Sequence, residues 1–113
     1  GDAVVRAILF YSPSCHHCHD VMDNHLPPLE KAYGKQLDIL EVDVATTSGS
    51  ALHQAAMVHL QIQSRGVPKM IVGDQVLLGS QEIPQKLPDL IEQGLASGGV
   101  DWPDIPGFVP PES

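Results

Sequence analysis

Runs of apolar residues, and the spacing within them, divide the chain into alternating elements. Val4 to Tyr11, VVRAILFY, is almost continuously apolar, rich in β-branched and aromatic residues, and broken by Ser12-Pro13. Such a run reads as a strand buried on both faces, as in the middle of an α/β sheet. From Cys15 to Tyr33 the period changes to three and four residues, through Cys18, Val21, Met22, His25, Leu26 and Leu29, which is that of a helix. Pro27 and Pro28 fall inside this run, so a kink or break is expected near Leu26, with Gly34 as the stop.

Leu37 to Val44, LDILEVDV, alternates and ends in TTSGS, which predicts a second strand and a loop. Ala51 to Ile62 has good helix propensity, with Ser50 as its cap and Met57 and Leu60 toward the core. Met70 to Val72 and Gln75 to Leu78 read as a hairpin closed by Gly73-Asp74. From Glu82, EIPQKLPDLIEQGL reads as a last helix. Pro84 suits its first turn, whereas Pro88 calls for a kink or a later start. Residues 97–113 are Gly/Pro-rich and aperiodic, an arm or linker in which Trp102 is expected to dock on the domain surface. The order β–α–β–α–β–β–α implies a right-handed parallel crossover followed by an antiparallel pair. It predicts an α/β domain over residues 1–96, a four-stranded mixed sheet flanked by helices on both faces.

Composition narrows the chemistry. A chain of 113 residues with 42% apolar content suffices for one core without metals or disulfides to hold it. Two cysteines three positions apart close too short a loop to staple much. The formal net charge of −8 argues against nucleic acid and anionic membrane surfaces as partners. No stretch approaches the ~20 apolar residues of a bilayer span, and no basic leader with a cleavage site is visible. The chain opens on GDAVVRAILFY rather than on Met, so it is expected to be a piece of a longer protein.

Both cysteines and three of six histidines lie in SPSCHHCHD, Ser12 to Asp20. The pair follows a buried strand and opens a helix, where unpaired N–H groups and partial positive charge favour thiolate over thiol. Cys15 is expected at the exposed start and Cys18 one turn in and more buried, close enough to bond. In that arrangement Cys15 exchanges with a partner's sulfur and Cys18 resolves the mixed disulfide. His16 and His17 can support the Cys15 thiolate by hydrogen bonding or charge, favouring the reduced form and a more oxidising disulfide. His19 reads as a surface residue of the helix, and His25, His53 and His59 as ordinary helix-face residues with no grouping that makes them ligands. Structural zinc needs four ligands, and successive helical side chains diverge by roughly 100°, so this cluster cannot converge on one ion. A two-thiolate copper(I) or delivery module is the alternative, and a redox-silent interaction domain using the sheet edge near Val67-Pro68 is another. The exchange reading needs no bound cofactor.

The strand AILFY, the helix-opening CHHC and the RGVP before the antiparallel pair together resemble the thioredoxin superfamily. The resemblance implies a thioredoxin fold and a cis peptide at Val67-Pro68, lying against the cysteines, where the backbone pairs with an extended substrate. More closely, the chain is similar to bacterial thioredoxin-like modules with SPxCxHCH, VPxxIVGDxVLLGSxEIPxxLPxLI and GGVDWPxIPG signatures. That similarity implies an extracytoplasmic place, protein thiols and disulfides as partners, and a membrane-embedded redox partner or fused membrane region. One departure stands out. Where thioredoxins carry a buried carboxylate six residues before the first cysteine, this chain has Leu9, so the Cys18 proton must leave by water or a histidine such as His17.

Overall fold

The central strand, β1 (Val5–Tyr11), is the near-continuous apolar run. In the computed structural model, which describes residues 2–111, Ala7, Ile8, Leu9 and Phe10 are completely buried. Strand geometry sends alternate side chains to opposite faces, so this one strand feeds two cores. Val5, Ala7 and Leu9 join Met70, Val72 and Leu77 in one cluster, while Ile8 and Phe10 join Ile71 in the other. Each large side chain so buried stabilises the fold by about 1.5–3 kcal/mol relative to exposure.

Beside β1 runs β2 (Leu37–Asp43), parallel, from Val5 opposite Leu37 to Tyr11 opposite Asp43. On the other side β3 (Lys69–Val72) is antiparallel, with Phe10 opposite Lys69, and β4 (Gln75–Leu78) completes the order β2-β1-β3-β4. Gly73 makes the hairpin turn in the left-handed region, φ 62°. The four-stranded mixed sheet matches the sequence expectation.

The helical run after β1 is one body with a defect. It consists of α1 (His16–Asp20), a π-helical turn over Val21–His25 and α2 (Leu26–Tyr33). Pro27 and Pro28 supply no N–H, so α2 begins where their missing donors do no harm, and the Leu26 N–H reaches back five residues to the Val21 carbonyl. The expected break is thus a widened turn. Gly34, φ 57°, ends the run.

Two helices start earlier than the sequence pattern predicts. The third, α3 (Thr47–His59), takes in Ser50, the expected cap. The cap is Thr46, whose Oγ1 accepts the Gly49 N–H at 2.9 Å while donating to the Asp43 carbonyl at 2.9 Å. Gly49 is required there, because a Cβ would stand 1.9 Å from the Asp43 carbonyl oxygen. The last, α4 (Gly79–Ala96), runs through both Pro84 and Pro88. The Glu82 carboxylate accepts the Leu78 N–H at 2.9 Å, an interaction that holds its carboxyl below the usual range. Ile83, Leu87 and Ile91, four residues apart and completely buried, secure the helix against the two lost backbone bonds.

The first cluster is covered by Val21, Leu26 and the α4 stripe, the second by Ala56 of α3 and by Ile105. Helices therefore flank both faces. From Ser97 the chain lies along the domain: Val100 bridges to Val5, the Arg6 N–H donates to the Val100 carbonyl, and the Val100 N–H donates to the Val4 carbonyl, each at 2.9 Å. Trp102 is half-buried on the second cluster, its ring centroid 6.1 Å from that of Phe108. Among the described residues no helix is long and apolar enough to cross a membrane.

Candidate active site

Ser12-Pro13 ends β1, and the Cys15 N–H turns back to the Ser12 carbonyl at 3.1 Å. His19, one turn into α1, donates from Nε2 to the Pro13 carbonyl at 2.6 Å and ties the helix to that turn. The sequence predicts only a surface residue at that position. Cys15 is thereby the N-cap in extended conformation (φ −89°, ψ 113°), and its Sγ accepts the Cys18 N–H at 3.1 Å. The sulfur occupies the place a Ser or Asp oxygen takes at an ordinary cap. A thiolate there gains a charge-assisted bond that a thiol gains only weakly.

Cys15 is half-buried and Cys18 completely buried. Their Cα atoms are 5.2 Å apart and the sulfurs are bonded as a disulfide. Cys15 is thus the accessible member of the pair, and Cys18 is enclosed beneath it.

His16 and His17 are exposed, with ring centroids 6.0 Å apart. Ser80, in the first turn of α4, places its Oγ 3.3 Å from His17 Nδ1. Nothing in the sequence marks Ser80, because this pairing spans sixty-three positions. Both imidazoles line an open cleft of about 780 Å³ between the active-site helix and α4, whose walls include Asp20, His25 and Gln85. Asn24 donates to Asp20 at 2.8 Å and, with a smaller contribution from His25, holds that carboxyl below its ordinary range.

On the remaining side stands the turn before β3. The Val67–Pro68 peptide is cis, Pro68 is buried, and the Val67 carbonyl oxygen lies 3.7 Å from Cys15 Sγ. The structure thus brings Cys15, Cys18 and Val67-Pro68 together and places His16 and His17 on the rim. Leu9 is completely buried in the first cluster, so β1 offers Cys18 no carboxylate. Among the described residues no group of three or more His, Cys, Asp or Glu is arranged to hold a metal ion. His53, read as a helix-face residue, turns its face inward: it is buried against Lys69, with its ring on Phe10 of the second cluster.

No family model matches the chain, and no curated protein matches its sequence. Solved structures do match. The chain is similar to mitochondrial thioredoxin 3 of Saccharomyces cerevisiae in its oxidised form, at 19% identity and a TM-score of 0.57, over 80% of this chain and 79% of that one. It is also similar to the germline-specific thioredoxin Deadhead of Drosophila melanogaster, at 17% identity and a TM-score of 0.53, over 81% and 82% of the chains. A buckwheat glutaredoxin–glutathione complex matches at 18% identity and a TM-score of 0.51, over 82% and 78%. Together with the sheet order, these likenesses establish a thioredoxin fold.

Proposed function

We propose that the chain is a thiol–disulfide oxidoreductase that exchanges disulfides with protein partners through Cys15 and Cys18. The observation that carries the reading is the capped sulfur: Cys15 at the helix tip, bonded to a buried Cys18 and facing the Val67 carbonyl. In the reducing direction, the Cys15 thiolate attacks a partner disulfide. The partner's S–S bond breaks, a Cys15–partner bond forms, and the partner's second sulfur leaves as a thiolate that takes up a proton. Cys18 then loses its proton and attacks Cys15 Sγ, releasing the partner's first sulfur. The partner ends as a dithiol and the protein as the Cys15–Cys18 disulfide; oxidation of a partner is the reverse. His17 and water are the groups we assign to the Cys18 proton, since Leu9 cannot accept it. Val67 and Pro68 form the wall against which the partner's chain lies.

Paired variants test the assignment. Cys18→Ser should accumulate mixed disulfides with partner proteins on non-reducing gels, and Cys15→Ser should not. Equal trapping by both would contradict this division between an attacking and a resolving cysteine. We place the activity outside the cytoplasmic membrane, with a membrane-embedded or fused membrane redox partner, on the strength of the SPSCHHCH and GGVDWPDIPG resemblance. Labelling of the Cys15 thiol by a membrane-impermeant maleimide in intact cells, after a membrane-impermeant reductant has opened the Cys15–Cys18 bond, checks this; protection until lysis would contradict it.

A further inference from the structure

Lys69 follows Pro68 directly, and its side chain is completely buried. Yet the ion pairs among the described residues are His25–Asp20 and Lys86–Glu82, and neither includes it. Its Nζ instead donates to His53 Nε2 at 2.7 Å and to the Ser64 carbonyl oxygen at 2.7 Å. For Nε2 to accept, His53 must be neutral with its proton on Nδ1. Its ring packs on Phe10 with centroids 5.0 Å apart. Burial pushes the Lys69 amine down from its ordinary value. A methionine would fill this volume without desolvating an amine, so core stability does not account for a lysine here.

Ser64 lies in the connection from α3 to β3, residues 61–67. Gln61 enters it in the left-handed region, φ 56°, and Gln63, Ser64, Arg65 and Gly66 are exposed. The Gly66 N–H donates to Ser64 Oγ within the same loop. Among the described residues, the Lys69 bond to Ser64 is the side-chain hydrogen bond that fastens the span 63–66 to the body of the fold. That loop ends on Val67, whose carbonyl faces Cys15.

We propose that Lys69 is a positioning residue for disulfide exchange: through the Ser64 carbonyl it holds loop 61–67 so that Val67 stands beside Cys15 when an extended partner chain docks. His53 serves as the second acceptor that aims the amine. The proposal rests on the exchange reading of Cys15 and Cys18. It separates docking from chemistry, because Lys69 touches neither sulfur and acts only on the segment that a polypeptide, unlike a small thiol, would contact.

The test uses the oxidised protein with two electron donors, dithiothreitol and an extended peptide bearing two cysteines, followed by acid quenching and thiol trapping. In either case the donor becomes a disulfide and Cys15–Cys18 becomes two thiols. Lys69→Met should raise the half-saturating peptide concentration about tenfold, with the saturating rate and the dithiothreitol rate staying within about twofold of wild type. Lys69→Gln, a shorter neutral donor, should fall between the two, and it alone decides the matter if the Met variant does not fold. An unchanged half-saturating concentration would overturn the proposal. So would a dithiothreitol rate that falls in step with the peptide rate, since the lysine would then be a general support. Wild-type protein that fails to react with either donor would remove the exchange reading itself, and the proposal with it.

Discussion

Cys15 Sγ lies 3.7 Å from the carbonyl oxygen of Val67, a residue fifty-two positions away. The contact joins the helix tip after β1 to the turn before β3, two segments brought near each other by the antiparallel pairing of β1 with β3. The outer sulfur and the Val67 backbone are therefore brought side by side with the help of the strand register.

The rim histidine nearest α4 should tune the pair. His17 is bonded to Ser80, and an imidazole beside the helix tip favours the thiolate form over the disulfide. His17→Ala should move the equilibrium with glutathione about tenfold toward the disulfide, a potential about 30 mV more reducing. Ser80→Ala should shift it in the same direction by less. A potential unchanged in His17→Ala would show that the ring only faces solvent.

Acid should loosen the fold through His53. Burial first, and the Lys69 charge second, lower its pKa from 6.5 to about 4. Above pH 6.5 neither the folded nor the unfolded chain protonates this ring, so it adds no pH dependence. As pH falls from 6.5 toward 4 the unfolded chain takes up a proton that the folded chain refuses. Stability therefore drops by up to about 1.4 kcal/mol per pH unit and by about 3 kcal/mol in all, levelling off below the folded value. Urea unfolding of wild type and His53→Gln across that range checks this. The variant should lack the slope between pH 6.5 and 5, where few carboxylates titrate; equal slopes would contradict it.

The cap of α3 makes a separate, purely structural prediction. An alanine at Gly49 would drive its Cβ to 1.9 Å from the Asp43 carbonyl and 2.8 Å from Thr46 Oγ1. Gly49→Ala should cost about 1–3 kcal/mol by urea unfolding, through overpacking and backbone shift. The glutathione midpoint should stay unchanged. An unaltered unfolding midpoint would mean that the Asp43–Thr46 corner yields freely.

That same corner shows where sequence pattern stops being informative. The strands are legible because β1 is apolar on both faces and β2 alternates, and CHHC because an i, i+3 pair at a helix start has few chemical uses. TTSGS reads as a loop by composition, however. Only the approach of Asp43 to Thr46 and Gly49 turns it into a cap and a first turn. Likewise Gly79 to Gln81 are helical because the Glu82 carboxylate reaches back to Leu78. Pro88 is tolerated because Ile83, Leu87 and Ile91 are buried. His53 reads only as a helix-face residue and Lys69 carries no signal of its own, and their contact arises when α3 packs across the sheet. Pattern reads faces and periods; it does not see which polar groups from distant segments meet.

The proposed exchange requires Cys15 and Cys18 to open and close as a pair. This is tested most directly by equilibrating the protein in buffers of graded reduced and oxidised glutathione, trapping free thiols, and weighing the products. One two-electron transition is expected, with both thiols appearing together. Persistence of both thiols under mild oxidation, or two independent one-thiol transitions, would contradict it.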